Sequence, residues 1–210
     1  VEKLLAAEHI LPVQRGLAKN AGDLSDFFNR LKKPLPTSGK EHLYMSDPNL
    51  RAAYLAYFFP VNCVKTFLLM RRIAAEGLLP AMQSPAPLRT LDFGCGPGSA
   101  ALGAAFYLAN ASNIIDIASS GTDSVLSRPA VAELYLVDQS TIVLETATRL
   151  LQRSELPLRI HAAGRIPQGV DFDLILAFNV LNENTVDEAK RIFALLKSHL
   201  SPTGQLLIAE

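Results

Sequence analysis

The stretch Thr90–Ala105 reads TLDFGCGPGSAALGAA, with glycines at 94, 96, 98 and 103. A short apolar run ends in an acid, three alternating glycines follow, and an alanine-rich helical segment comes after them. Glycines in such a loop let the backbone approach a ligand with no Cβ in the way. The helix N-terminus that follows offers backbone N–H groups to a negatively charged part of that ligand.

Outward from this loop the chain changes character. From Thr90 onward short apolar strands alternate with helices. TLDF (Thr90–Phe93), AELYLVD (Ala132–Asp138), LRIHAA (Leu158–Ala163), DLILAFNVL (Asp173–Leu181) and QLLIAE (Gln205–Glu210) read as strands, and SPTG before the last as a turn. SAALGAAFYLA, STIVLETATRLLQRS and TVDEAKRIFALLKSHL read as the helices between them. Nearly continuous apolar strands in this alternation predict an α/β fold with a parallel sheet covered on both faces. Asn110–Pro129 is polar and serine-rich and reads as an insertion with room for a short helix.

Residues 1–85 read instead as a helical region, and 86–210 as the α/β domain. LSDFFNRL (Leu24–Leu31) is a short helix, KKPLPTSGK a loop, and the proline-rich PAMQSPAPL (Pro80–Leu88) a linker. In SDPNLRAAYLAYFFP, Ser46 or Asp47 is placed to cap a helix whose first turn holds Pro48. Leu50, Tyr54, Tyr57 and Phe58 share one face of it. Pro60 interrupts, and a second helix ends near Gly77 with Val61, Val64, Phe67, Leu68 and Ala75 inward.

Composition removes several function classes. The 210 residues are 49% hydrophobic and 19% charged, enough apolar content for a core. Lys plus Arg equals Asp plus Glu at 20 each, so no global attraction to nucleic acid or an anionic membrane follows. Cys63 and Cys95 match no metal or redox spacing, and no metal site is expected. No signal peptide is read in VEKLLAAEHILPVQRG, and no run approaches the roughly 18 apolar residues of a membrane span. A soluble protein of the cytoplasm is the expectation.

Three ligands compete for the loop. A phosphate-binding P-loop needs Lys then Ser or Thr after the last glycine, and none is present. The dinucleotide pattern fits from Gly96 through Gly98 to Ala101, so the glycines alone do not reject NAD. Asp92, two residues before Gly94, discriminates further. A carboxylate there repels pyrophosphate and suits S-adenosylmethionine, which carries an ammonium and a sulfonium but no phosphate. The second strand also ends in an acid, Asp138, placed for the two ribose hydroxyls by the logic of dinucleotide sites. The alternative for Asp138 is a helix cap.

LDFGCGPGS, LYLVDQS and DLILAFNVLNE in this order resemble the class I S-adenosylmethionine-dependent methyltransferases, over residues 88–210. The resemblance implies a Rossmann-like sheet with the cofactor at the carboxyl ends of the first strands. It implies that Asp92, Gly94 and Gly96 line the methionine part, that Cys95 and Gly98 belong to the same cofactor-binding loop, that Asp138 takes the ribose, and that Gln139, Ala163 and Gly164 lie near the adenine, although no acid follows HAA. Cys95 reads otherwise as a small buried residue. At the end of the fourth strand Asn179, which also borders the cofactor, and Glu183 are the candidate catalytic residues; orienting a strand end and capping the next helix are their alternatives. Val180 and Leu181 stand where an adenine amino-methyltransferase has prolines, and no cysteine is placed for cytosine C5 chemistry.

A narrower resemblance, carried by YLAYFFPVN and AFNVLNE, is to methyltransferase-like proteins associated with small ribosomal subunit assembly. It implies ribosomal RNA or the small subunit as partner, and a non-catalytic assembly factor or a small-molecule methyltransferase as the other readings. Lys32, Lys33, Lys65, Arg71 and Arg72 are then RNA contacts or a solvated helix face; Tyr44, Tyr54 and Tyr57 are stacking residues or core. The relatives' iron–sulfur cysteines lie beyond the fifth strand. A complete class I sheet has seven strands, so QLLIAE is expected to be an open edge that invites association, and residues 1–210 to bind cofactor with little methyl transfer.

Overall fold

The computed structural model describes residues 47–79, 87–118 and 132–209, together with Gly22, Ser25 and Met45. The expected helix Leu24–Leu31, its following loop, most of the Pro80–Leu88 linker, Tyr44, Lys32 and Lys33 lie outside the described residues.

Five strands form one sheet in the order β3-β2-β1-β4-β5. They are β1 (Arg89–Phe93), β2 (Ala132–Val137), β3 (Leu158–Ala163), β4 (Phe172–Phe178) and β5 (Leu200–Ala209), and every neighbouring pair is parallel. Parallel pairing requires crossovers, and helices supply three: α3 (Ser99–Ala118) after β1, α4 (Thr141–Gln152) after β2, and α5 (Val186–Ser198) after β4. Strand order reverses between β1 and β4, which opens a crevice at the carboxyl ends of the strands.

Side-chain alternation sorts the strand residues onto two faces. Leu91, Ile175 and Ala177 pack with Leu196 of α5. Leu134 and Leu136 meet α3 and α4 through Ala101, Leu102, Ala147 and Leu150 on the other face. Leu174 and Leu176 join Ala104 and Tyr107 of α3 there. α5 begins with a capping box in which Thr185 accepts from the Glu188 N–H and Glu188 accepts in return from the Thr185 N–H.

The helical region before the sheet departs from its sequence reading. α1 (Pro48–Ala53) is capped by Asp47, which accepts from the N–H groups of Asn49 at 2.7 Å and Leu50 at 3.1 Å. Pro60 does not interrupt. The chain continues through a π-helical turn, Tyr54–Phe58, directly into α2 (Phe59–Ala75). A proline removes one N–H and its ring crowds the carbonyl four residues earlier; the wider turn accommodates it.

That turn adds a residue and shifts the phase of everything after it. Phe59, Cys63, Thr66 and Met70 are the buried residues of α2, while Val61, Val64 and Leu68, expected inside, are exposed, as is Tyr57 before them. The helical stretch Pro48–Ala75 is also long and apolar enough to cross a membrane, which reading it as two helices around Pro60 had concealed; 33% of its most apolar window is buried within the protein.

Two other boundaries differ. α3 runs to Ala118, so the first half of the expected insertion is helix, and residues 119–131 lie outside the described set. SPTG lies within β5 rather than before it. Pairing with β4 jumps from Phe172↔Leu200 to Leu174↔Gln205, so Ser201–Gly204 form a bulge, tied down where the Ser201 hydroxyl donates to Asp173 at 3.0 Å.

Gly103 decides how the helical region meets the α/β core. A Cβ there would meet the Cys63 carbonyl oxygen and, at 2.8 Å, Thr66 Cβ. The two helices can cross this closely only because residue 103 has no side chain, and one continuous core joins Leu55, Phe59 and Cys63 to Leu134 and Leu136. Gly103→Ala should therefore destabilise by about 1–3 kcal/mol through overpacking, read as a melting temperature lower by roughly 2–4 °C per kcal/mol. Gly169→Asn is the control: no atom lies within 4 Å of its Cβ position, and its φ of 70° is tolerated by Asn, so its stability should stay within about 0.5 kcal/mol.

Candidate functional site

The crevice is part of a cavity of about 820 Å³ that runs from the carboxyl ends of β1, β2, β4 and β5 to Ile192 and Leu195 of α5 and His199 before β5. Its floor is the glycine loop, held open by backbone conformations that side chains rarely adopt. Gly94, Gly96 and Gly98 have φ of 66°, 51° and 85°. A Cβ on Gly94 would collide with Val180 Cγ2 at 2.5 Å, whereas Gly96 faces open space. Gly98 does not line the cavity as its place in the motif implied. It packs against Ala147 and Leu151 of α4 and sets the close contact between loop and helix.

Two carboxylates fix this loop. Asp92, at 2% exposure, accepts a hydrogen bond from the Ala101 N–H of α3 at 2.9 Å. Asp138, at 7% exposure, accepts from the N–H groups of Gly96 at 3.1 Å and Ser140 at 2.9 Å. Asp138 is not the side-chain cap of α4; the cap position belongs to Ser140. It ties the end of β2 to the glycine loop while bordering the cavity, and a carboxylate's remaining lone pairs can still accept hydroxyls.

Both acids lack a cationic partner among the described residues. Burial pushes the Asp92 carboxyl up to about 7; the Ala101 hydrogen bond opposes this and the nearby Asp138 charge adds to it. Cys95, also buried in the loop, has its thiol pushed well above the ordinary range, by burial first and then by Asp92 and Asp138. It therefore stays protonated and is a poor nucleophile.

The remaining sequence candidates are distributed around this floor. Gln139 and Gly164 line the cavity. Ala163 does not; its carbonyl accepts the Asp138 N–H at 3.3 Å at the end of β3. Asn179 lines it from a left-handed backbone, φ 56°, with its N–H on the Ala209 carbonyl at 2.8 Å. This outlier ends β4 three residues before the expected Leu181. Glu183 closes a 3₁₀ turn, Leu181–Glu183, and its side chain lies outside the described set. His161 is on β3, stacked on Tyr135 at 4.4 Å, and does not line the cavity.

Sequence reasoning named only part of one wall, with Tyr54 as a stacking or core residue and Lys65 as an RNA contact or solvated face. Tyr54, Phe58, Asn62, Lys65 and Leu69 line the cavity from a single face of the α1–α2 helix. Their spacing of four, four, three and four residues was legible, but two polar residues on that face broke the apolar stripe that marks a core side. Arg165 and His199 also line the cavity and were not singled out.

No protein-family model and no curated protein matches the sequence. Solved structures match by fold. A putative O-methyltransferase from Nostoc punctiforme is 16% identical, with 98% of this chain and 50% of that chain covered at a TM-score of 0.54. An S-adenosylmethionine-dependent methyltransferase from Clostridium acetobutylicum is 17% identical, covering 69% and 49%, at 0.46. PKMT2 from Rickettsia typhi in complex with AdoHcy is 17% identical, covering 62% and 22%, at 0.42. This chain thus spans from about a fifth to about half of the length of these neighbours. The first match establishes the fold, the Rossmann-like sheet of class I methyltransferases with an N-terminal helical region.

The raised carboxyl gives a pH test. A group whose pKa is raised in the folded state contributes stability present below its ordinary value of 3.8 and lost as pH rises through about 7. Asp92→Asn keeps an acceptor for the Ala101 N–H and never ionises. Chemical denaturation of both proteins should show Asn gaining on Asp steadily from about pH 4 to 7, then levelling off. A difference independent of pH would contradict the buried-acid assignment.

Proposed function

We propose that the glycine loop and the ends of β1 and β2 bind S-adenosylmethionine, and that the chain is part of a methyltransferase. The observation that carries this reading is the pair of buried carboxylates, Asp92 and Asp138, on the cavity floor with no cation beside them among the described residues. Such a floor disfavours a pyrophosphate and favours a ligand that brings its own positive charge. Gly96, with open space where its Cβ would be, leaves room for a ligand against the backbone.

On this reading Asp92 faces the amino acid end of the cofactor, Asp138 and Gln139 the ribose, and Gly164 the adenine side. When bound, the cofactor supplies an electrophilic methyl carbon; an acceptor's lone pair forms the new bond while the carbon–sulfur electrons remain on sulfur. The chain's own work is to hold and orient, which can account for most of the rate of an in-line displacement. Asn179, fixed on its left-handed turn, and Glu183 are the candidates on the acceptor side.

The identity of the acceptor divides the finer readings. Ribosomal RNA rests on YLAYFFPVN and AFNVLNE alone, and that first motif contributes Tyr54, Phe58 and Asn62 to the wall of a cavity beside the cofactor floor. Two lining cations besides His199, Lys65 and Arg165, make a sparse footprint for a polyanion. A small-molecule acceptor is the reading these observations favour.

Calorimetry tests the cofactor assignment: S-adenosylmethionine should bind and NAD and ATP should not. The reverse pattern would refute it. Asp138→Ala removes charge-assisted hydrogen bonding worth about 1.5–3 kcal/mol in all, so cofactor affinity should fall about 10- to 150-fold. Because the same carboxylate ties down Gly96 and Ser140, the ligand-free melting temperature should fall too. A lowered melting temperature with an unchanged dissociation constant would confine Asp138 to holding the loop.

A further inference from the structure

The cavity's described charges are unevenly placed: Lys65 lines it from α2, Arg165 from the segment after β3 and His199 from just before β5. Its only described acids, Asp92 and Asp138, lie on the glycine-loop side. The facing wall, on α1 and α2, carries Tyr54, Phe58, Asn62 and Lys65 and no acid. The Tyr54 and Phe58 rings lie 5.7 Å apart and 28° from parallel, giving a nearly continuous aromatic surface. The π turn that accommodates Pro60 keeps these two rings on the cavity side while Tyr57 points away, edge-on to Phe58 at 84° and 56% exposed. Lys65 follows two turns later on the same face and makes no ion pair among the described residues.

We propose that this wall is the acceptor subsite, and that it takes a planar aromatic molecule bearing an oxyanion, stacked on Tyr54 and Phe58 with its negative charge met by Lys65. The inference rests on the reading of the glycine loop as the cofactor site. Aromatic surfaces select flat partners by area and ring geometry. A single ammonium on a flexible stem provides a point charge for one carboxylate or phenolate, without the bidentate geometry of an arginine. The arrangement also balances charge across the cavity. A cationic cofactor sits over the acids, and an anionic acceptor sits under the lysine, so each attracts its own ligand and repels the other's.

The test is calorimetry on the whole 210-residue chain saturated with S-adenosylhomocysteine, using three probes: 2-naphthoate, 2-naphthamide and cyclohexanecarboxylate. Naphthoate should bind about tenfold more tightly than either of the others, with a preference over the amide that shrinks at high salt. Lys65→Met should abolish the preference for naphthoate over naphthamide, and Tyr54→Leu the preference for naphthoate over cyclohexanecarboxylate. Equal binding of acid and amide, or no binding of naphthoate while S-adenosylhomocysteine binds, overturns the subsite and leaves the cofactor reading standing. Failure of S-adenosylhomocysteine to bind overturns the cofactor reading beneath it.

Discussion

Two hydrogen-bonded carboxylates hold the centre of this molecule. Asp92 fastens the end of β1 to the first turn of α3, and Asp138 fastens the end of β2 to the glycine loop. Between them the loop takes left-handed backbone at Gly94, Gly96 and Gly98, conformations that glycine adopts without steric cost. Burying Asp92 is costly: burial first, and the nearby Asp138 charge in smaller part, push its carboxyl up to about 7. A cationic ligand over the same floor would relieve it, so the burial of these acids and the chemistry of the proposed ligand are two aspects of one constraint.

The helical region is bound to this centre by packing rather than by charge. Gly103 lets α2 lie on α3 at backbone contact distance, and the π turn around Pro60 sets which face of the α1–α2 helix looks into the cavity. Core and site are therefore coupled: a side chain at 103 would push away the wall that carries Asn62 and Lys65. The same crossing buries Cys63 and Thr66 in place of larger neighbours, leaving Tyr57, Val61, Val64 and Leu68 outward.

Much of this was legible in the sequence. The strand–glycine–helix order at 90–105, the acid ending each of the first two strands and the regular α/β alternation located the sheet, and β3 was read residue for residue. What failed did so for local reasons. Pro60 looked like a break because a π turn has no sequence signature of its own, and one extra residue rotated every assignment downstream. SPTG looked like a turn because turn composition and a four-residue bulge are the same residues in different pairing. Gly98 and Ala163 sat in the right motifs but do not line the cavity, which spacing does not reveal. The α1–α2 wall of the cavity was read only in part, through Tyr54 and Lys65, because Asn62 and Lys65 interrupt its apolar pattern.

The account turns on positive charge meeting Asp92 and Asp138 on the cavity floor. Its most direct test is proton linkage: S-adenosylmethionine titrated calorimetrically near pH 7 in two buffers of different ionisation enthalpy. A cation drawing Asp92 into its charged form displaces the proton that burial retains. The account predicts release of a substantial fraction of one proton per ligand bound, lost in Asp92→Asn. Binding with no proton release, or with the same release in the Asn variant, would contradict it.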